Sequence, residues 1–382
     1  MDPNDFSASS SGKTILTPTG YWAFLPNPLP PEITWSLSLV STLSETEREL
    51  SRLSAVAHTF PCARLLIQPF MRSEAVISSR IEGTRASLID LYTYESNALS
   101  FLEKAGDVRE VYNYVVSMDY GFDRLKTLPV SLRLIRELHE KLMQGVRGGS
   151  LTPGEFRRSQ NWIGPAGSTP TTAPYVPPPV AEMHQALDML EKFIHAPSEV
   201  PHLIRMGMIH YQFEAIHPFL DGNGRVGRLL IVLLLGEWGL LQRPVLNLSA
   251  YIEKYRQQYY DLLLQVSQKG AWEEWLLFFL RAVRAQARDG VVRIEQLQSM
   301  RSKYQSLITS ARNPKRLAGV IDYIFTRPVL SARQLSNGMG IPFKSANDAL
   351  AKLEAAGILR EITGFAHNRL FQAAELLQVF TR

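Results

Sequence analysis

The sequence predicts a mainly α-helical protein, on three observations. Apolar residues recur at three- and four-residue spacing through most of the chain, and the longest interruption after the first 34 residues is a short proline-rich stretch. A content of 45% hydrophobic and 20% charged residues over 382 positions describes an ordinary globular chain of two or three domains.

The elements are expected in this order. Residues 1–34 read as irregular, because Pro26, Pro28, Pro30 and Pro31 withhold helix hydrogen bonds and hold an extended path. Helical spacing then runs through Leu43 to Val56, Phe70 to Ile81, Val108 to Leu125, Leu132 to Leu142, Val180 to Ile194, Pro201 to Ile216, Gly227 to Trp238 and Ala271 to Arg288. Within this series, the prolines of Asn161 to Pro179 (NWIGPAGSTPTTAPYVPPP) exclude a helix, and the two apolar ends can pair as a short irregular hairpin. Asp289 to Lys315 reads as a charged connecting helix with a loose end at Asn313 and Pro314. A new pattern follows. Leu317 to Phe325 is an amphipathic helix, Ser331 to Leu335 opens a second behind a capping serine, and Gly338, Met339 and Gly340 supply a tight turn. Ser345 to Ala356 is a third helix ended by Gly357, and Ile358 to Ile362 and Asn368 to Phe371 read as strands around Thr363 and Gly364. Three helices followed by a small hairpin is the winged helix-turn-helix arrangement.

Composition removes several function classes. The longest apolar run, Leu229 to Leu241, is broken by Glu237 and falls short of the roughly 20 residues that cross a bilayer, so no membrane partner is expected. Met1 to Ser11 lacks the basic and apolar regions of a secretion signal, and the single cysteine, Cys62, fits a reducing cytoplasm. The net charge of +5 is local: Arg312 to Arg382 carries ten Lys or Arg against five Asp or Glu, whereas residues 1–311 balance at 31 against 31. An anionic partner is therefore expected for the C-terminal module alone.

Ile216 to Arg228, IHPFLDGNGRVGR, lies between two strongly apolar helices. Gly222, Gly224 and Gly227 let the backbone turn tightly and approach a ligand, and a helix starting near Gly227 would aim its free N–H groups at an anion. Arg225 and Arg228 can meet phosphate oxygens in guanidinium fork geometry, and Asp221 is a hard oxygen ligand suited to Mg²⁺. His217 is the natural general base for a hydroxyl at neutral pH, while His210, two turns upstream, reads as a packed core histidine.

His217-Pro-Phe-Leu-Asp221-Gly-Asn223-Gly-Arg225-Val-Gly-Arg228 resembles, without departure, the Fic family motif H-x-F-x-[DE]-G-N-G-R-x-x-R. The resemblance covers about Pro129 to Trp275 and implies a helical core, most of whose known members transfer AMP from ATP to a hydroxyl side chain of a target protein. It implies that His217 takes the hydroxyl proton and that Asp221 holds Mg²⁺ on the nucleotide phosphates. Asn223 and the glycine backbone would line the hole for the transferred phosphate, and Arg225 and Arg228 would steady the β and γ phosphates. Residues 161–179 look like the family's flap, which docks a target segment as an added strand, and Tyr260 and Leu263 fall in the region that lines the family's adenine pocket. Upstream, Ser78-Ser-Arg-Ile-Glu82-Gly83 places Ser78 and Glu82 one turn apart on a helix closed by Gly83. It resembles the family's inhibitory pattern [ST]-x-x-x-E-[GN], which implies that Glu82 pairs with Arg228 and takes the space of the γ phosphate.

The domains expected are 1–122, carrying the inhibitory helix; 123–290, the Fic catalytic core; 291–315, a linker helix; and 316–382, the winged module. The function expected is an autoinhibited, cytoplasmic protein adenylyltransferase using MgATP on Ser, Thr or Tyr, with AMP removal as a further activity of the Glu82 site and a homodimer among its assemblies. The alternatives are a nucleotide-sensing DNA-binding transcriptional regulator and a Fic transferase of another phosphate-containing group. The intact motif favours catalysis. The third helix of the winged module mixes Lys344 and Lys352 with Asp348 and Glu354, which suits weak DNA contact or none.

Overall fold

From Leu37 onward the apolar spacing becomes a nearly continuous series of helices: α1 (Leu37–Thr59), α2 (Ala63–Ile81), α3 (Leu88–Glu95), α4 (Ala105–Arg124), α5 (Leu132–Leu142), α6 (Val180–His195), α7 (His202–Ile216), α8 (Asn223–Glu237), α9 (Leu248–Lys254), α10 (Arg256–Lys269), α11 (Trp272–Leu307), α12 (Pro314–Thr326), α13 (Ala332–Met339), α14 (Phe343–Ala355) and α15 (Ala374–Thr381). The structure is a computed structural model that describes residues 1–7, 11–60, 62–96, 105–309, 314–364 and 367–381. No described helix is long and apolar enough to cross a membrane.

The N-terminal stretch departs from expectation. Instead of an irregular path, β1 (Gly12–Leu16) and β2 (Trp22–Pro26) form an antiparallel hairpin in the register Gly12↔Pro26 to Leu16↔Trp22. Of the prolines that argued against order, Pro26 is the last residue of β2, opposite Gly12 at the end of the ladder, and Pro28, Pro30 and Pro31 lie beyond the pairing. Helix α2 starts before Phe70 and tolerates Pro69 inside it. The short α3 is set by a capping box between Ser87 and Asp90. The expected linker is also different: α11 runs unbroken past position 290 to Leu307, and Asn313 lies outside the described residues.

Two compact units result, and they do not follow the four expected segments. The first comprises residues 1–50, 113–242 and 248–286; the second comprises 51–112, 243–247 and 287–382. The expected 1–122 region is thus shared between them.

In the first unit α7 and α8 are buried along almost their whole length, which explains why neither shows an amphipathic stripe. Helix α11 approaches α7 closely at Gly207, whose carbonyl accepts the Trp275 indole N–H at 2.9 Å. A side chain at Gly207 would press on Leu276 and Phe279. Glu237, the charge inside the longest apolar run, accepts the Val130 N–H at 3.1 Å just ahead of α5, and burial raises its carboxyl pKa.

In the second unit α2 packs against α3, α12 and α15. Arg72 of α2 and Glu95 of α3 form a buried forked pair, with Nη2 to Oε1 at 2.8 Å and Nε to Oε1 at 3.0 Å. Phe70 of α2 meets Phe380 of α15 edge-to-face at 5.2 Å between centroids. The C-terminal elements run α12, β3 (Val329–Ser331), α13, α14, β4 (Arg360–Glu361), β5 (Leu370–Gln372), α15, with strand order β3-β5-β4. Ser331 and Gln334 form the capping box of α13. Gly338, expected in a turn, lies inside α13, where any side chain would collide with the Tyr323 ring; Gly340, at φ +63°, ends the helix.

Because α2 shares an apolar contact with α15, Phe70→Ala and Phe380→Ala should each lower the stability of this unit by about 3–5 kcal/mol. The double variant should lose less than the sum by about 0.5–1.5 kcal/mol, the worth of an aromatic pair. Urea unfolding checks this; strictly additive losses would show that the two rings do not support each other.

Candidate active site

Helix α7 ends at Ile216 because His217 enters the left-handed region, at φ +48° and ψ +62°, and Pro218 cannot continue the helix. The His217 N–H still donates to Phe213 O at 3.0 Å. Its Nδ1 lies 3.2 Å from Glu214 O. A carbonyl only accepts, so Nδ1 carries the hydrogen and Nε2 keeps the lone pair that a base needs.

The turn from His217 to Gly222 is closed from inside. Asn223 Oδ1 accepts the Phe219 N–H at 2.8 Å and its Nδ2 donates to Phe219 O at 2.7 Å, so the Asn223 side chain mainly holds the shape of the loop. Gly222 caps α8 at φ +81°, in the left-handed region, and its N–H donates to Asp221 Oδ1 at 2.6 Å. Helix α8 begins at Asn223, four residues before the start expected at Gly227, because Gly222 supplies the left-handed cap. The first-turn N–H groups are therefore those of Asn223, Gly224 and Arg225. Gly227 lies within the helix and serves close packing: a Cβ there would collide with the Glu214 carboxylate and come within 3.2 Å of the Phe213 ring.

Arg225 and Arg228 project from α8 and are each only 2% exposed. Arg225 Nη2 lies 3.7 Å from Asp221 Oδ1. The Asp221 carboxylate is partly exposed, and its Oδ2 faces Gly148, where a side chain would collide with it.

Four further residues support this turn, and sequence reasoning gave none of them this role, although Asn161 and Tyr175 fall within the flap it singled out. His139 of α5 accepts the Gly154 N–H at Nδ1 (2.9 Å) and therefore donates from Nε2 to Asp221 O (3.0 Å); its ring stacks on Phe219 at 3.7 Å. Arg157 donates from Nε to His217 O at 3.1 Å. Asn161 donates from Nδ2 to His217 O and Phe219 O at 3.0 and 2.9 Å. Tyr175 donates to Ala215 O at 2.8 Å. All four act through main-chain atoms, which leave no pattern of residue types at a fixed spacing.

Two buried histidines lie beside the arginines and are neutral at pH 7. Burial, helped by the nearby Arg225 guanidinium, pulls the pKa of His139 down to about 4. Burial, helped by Arg228, pulls His210 down to about 3. As expected of a core histidine, His210 is packed inside, donating from Nδ1 to Gly227 O at 3.2 Å and accepting from the Tyr259 hydroxyl at 2.8 Å.

The other expected site residues are distributed as follows. The flap residues 161–179 form a hairpin with one isolated bridge, Ile163↔Tyr175. On α10, Tyr260 is exposed and Leu263 half-buried, whereas Tyr259 and Leu262 face the core. Ser78 is buried in the last turns of α2, and Glu82 is its half-buried C-cap. Gly83 follows at φ +99°. Its N–H donates to Arg80 O at 3.0 Å and that of Thr84 to Ser79 O at 3.3 Å, a Schellman ending.

Residues 40–123 match the profile "Fic/DOC family N-terminal" and residues 129–235 the profile "Fic/DOC family", together half of the chain. The chain belongs to the Fic/DOC family. Among Fic relatives, a probable protein adenylyltransferase from Aquifex aeolicus is 28% identical over 199 residues, covering 50% of this chain and 58% of that protein. Protein adenylyltransferase Fic from Culex quinquefasciatus is 33% identical over 144 residues, 37% of this chain and 25% of the mosquito protein. The chain thus spans little more than half of the first relative and a quarter of the second. A crystal structure of a Fic family protein from Desulfovibrio desulfuricans superposes with a TM-score of 0.59 over 90% of this chain and 98% of that one; at 19% identity the similarity speaks for the fold.

The depressed histidines set a pH dependence. Each is neutral in the folded chain down to its lowered pKa but protonates near pH 6.5 when unfolded, so the unfolded state binds more protons in between. Their contribution should be complete above about pH 6.5 and lost as pH falls toward about 4 for His139 and about 3 for His210, at up to ~1.4 kcal/mol per pH unit for each. Urea midpoints between pH 7 and 4.5 should fall less steeply in His139→Asn than in wild type; parallel slopes would mean that His139 protonates without cost.

Proposed function

We propose that this chain transfers AMP from MgATP to a hydroxyl side chain of a protein target. The observation that carries this reading is the turn between α7 and α8, where every motif position from His217 to Arg228 follows in order and the His217 imidazole presents its lone pair at Nε2. In the proposed reaction, Nε2 accepts the proton of the target hydroxyl as its oxygen bonds to the α phosphorus. The bond from the α phosphorus to the bridging oxygen breaks, and pyrophosphate leaves. The first-turn N–H groups of α8 face the charge that develops on the transferred phosphate. Arg225 and Arg228 hold the β and γ phosphates.

Asp221 would hold Mg²⁺, which when bound neutralises phosphate charge. The donor set fits: a lone, partly exposed carboxylate suits an ion that keeps several waters and leans on substrate phosphates, and glycine at 148 leaves room beside Oδ2. Target docking by strand addition to residues 161–179 is supported by exposed Trp162 and Ile163 beside the single bridge to Tyr175. The exposed Tyr260 and half-buried Leu263 suit an adenine face. The cytoplasmic setting, homodimer and weak DNA contact of the winged module remain part of the reading on sequence grounds.

The reading includes restraint by Glu82. Supporting it, Ser78 and Glu82 stand one turn apart at an α2 end fixed by Gly83, so the carboxylate has a defined place. Paired with Arg228, Glu82 denies the γ phosphate its cation and leaves the α phosphate out of line for attack. In the same reading, this carboxylate would also serve AMP removal from modified targets.

His217→Ala should reduce transfer about 10²- to 10⁴-fold with nucleotide affinity unchanged, since the base acts only on the attacking hydroxyl. Labelled ATP with cell lysate reads transfer, and titrations with ATP, CTP, GTP and UTP read the group transferred. Full transfer by the variant would remove His217 from the chemistry, and preference for another nucleotide would point to a different phosphate-containing group.

Glu82→Gly should raise self- and target modification through turnover more than through nucleotide affinity, and should abolish AMP release from premodified target. Adding Arg228→Ala should return the variant to inactivity, because the nucleotide itself needs that cation. If neither forward nor reverse rate responds to Glu82→Gly, the α2 terminus is only a capped helix.

A further inference from the structure

We infer that Arg157 and Asn161, at the stem of the flap, are positioning residues for His217, so that a target docked on the flap is coupled mechanically to the orientation of the base. This rests on the functional reading above.

Arg157 is fully buried, and its fork is satisfied by main-chain carbonyls. Nε donates to His217 O, Nη1 to Ser159 O at 3.3 Å, and Nη2 to Pro178 O, while its own N–H donates to Pro218 O at 2.9 Å. Asn161 adds a second donor to His217 O and reaches Phe219 O. Gln160 Nε2 donates across the stem to Pro177 O at 2.9 Å. Both legs of the flap and the carbonyl of the base therefore converge on one guanidinium. Burial draws its pKa down to about 10, which leaves it protonated at neutral pH. A cation in a dry interior is costly, and an apolar side chain would fill the same space without that cost. What only the fork supplies is several N–H donors in fixed directions.

Those directions matter because His217 is a non-glycine residue in the left-handed region, a conformation that persists only where its surroundings over-determine it. Its N–H is tied to Phe213 O and its carbonyl to Arg157 and Asn161. If the carbonyl is released, the peptide can rotate, and the imidazole loses the Nδ1–H bond to Glu214 O that fixes its tautomer. A strand added to the flap stiffens both legs, hence Arg157, hence the base.

The test combines kinetics with ¹⁵N NMR of the His217 ring in the full chain. Arg157→Lys, which keeps charge but not the fork, should lower kcat for target modification about 10²-fold while ATP affinity stays within about twofold. The wild-type ring should be held as the Nδ1–H tautomer and the variant should show a mixture. Asn161→Ala removes one donor, leaves Arg157 in place, and should move both readouts the same way, with a roughly three- to tenfold loss in kcat. If Arg157→Lys does not fold, Asn161→Ala decides alone. An unchanged tautomer with unchanged kcat overturns the proposal, as does an equal loss of ATP affinity and turnover, which marks a general structural role. If the tautomer shifts in the variants but wild-type protein transfers no AMP, the clamp stands and the functional reading falls.

Discussion

The site depends on one backbone constraint: the chain must reverse between two almost wholly buried helices while keeping a histidine, not a glycine, at the point of reversal. Several buried polar groups nearby help to meet it. Asn223 closes the turn from within, His139 holds Asp221 O from α5, and Arg157 and Asn161 hold the His217 carbonyl from the flap side. The turn is thus built largely from main-chain carbonyls gripped by side-chain N–H groups, an arrangement that fixes a loop without requiring side-chain salt bridges.

Electrostatics reinforce the geometry. The histidines next to Arg225 and Arg228 stay neutral because burial, helped by those guanidiniums, opposes a further positive charge. These two histidines therefore add no positive charge beside the guanidiniums at neutral pH. At the turn itself, His217 has its Nδ1 on Glu214 O, which leaves the lone pair at Nε2.

Much of this was legible in the sequence, and the pattern of hits and misses has physical causes. The bounds of α5 agree with its apolar spacing at both ends, and the α2 terminus was readable because Gly83 is required by φ rather than by space. The ordered motif named the side chains that face the turn. Illegible were the features that depend on tertiary partners. The β1–β2 hairpin was hidden by prolines at its end and just beyond it, and the start of α8 by a glycine cap read as part of a loop. Nothing local told His139 from an ordinary helix histidine or Arg157 from a surface arginine, since each earns its role by what packs around it from elsewhere in the chain. The division into units was equally invisible, because α1, α4 and α11 each run through positions assigned to both.

The second unit draws on residues 51–112, 243–247 and then 287–382, whereas the first is complete by residue 286. On a ribosome, which releases the chain from its N-terminal end, the segments of the first unit are therefore all available while α12 and α15 have yet to be made. Helix α2 waits across more than two hundred residues of synthesis for α12 and nearly three hundred for α15, which brings the Phe380 ring to Phe70, and of its three partners only α3 is at hand meanwhile. The nascent chain thus passes through a stage in which the turn carrying His217 can be assembled before the helix carrying Glu82 has its final support. A truncation ahead of residue 314 would make that stage permanent.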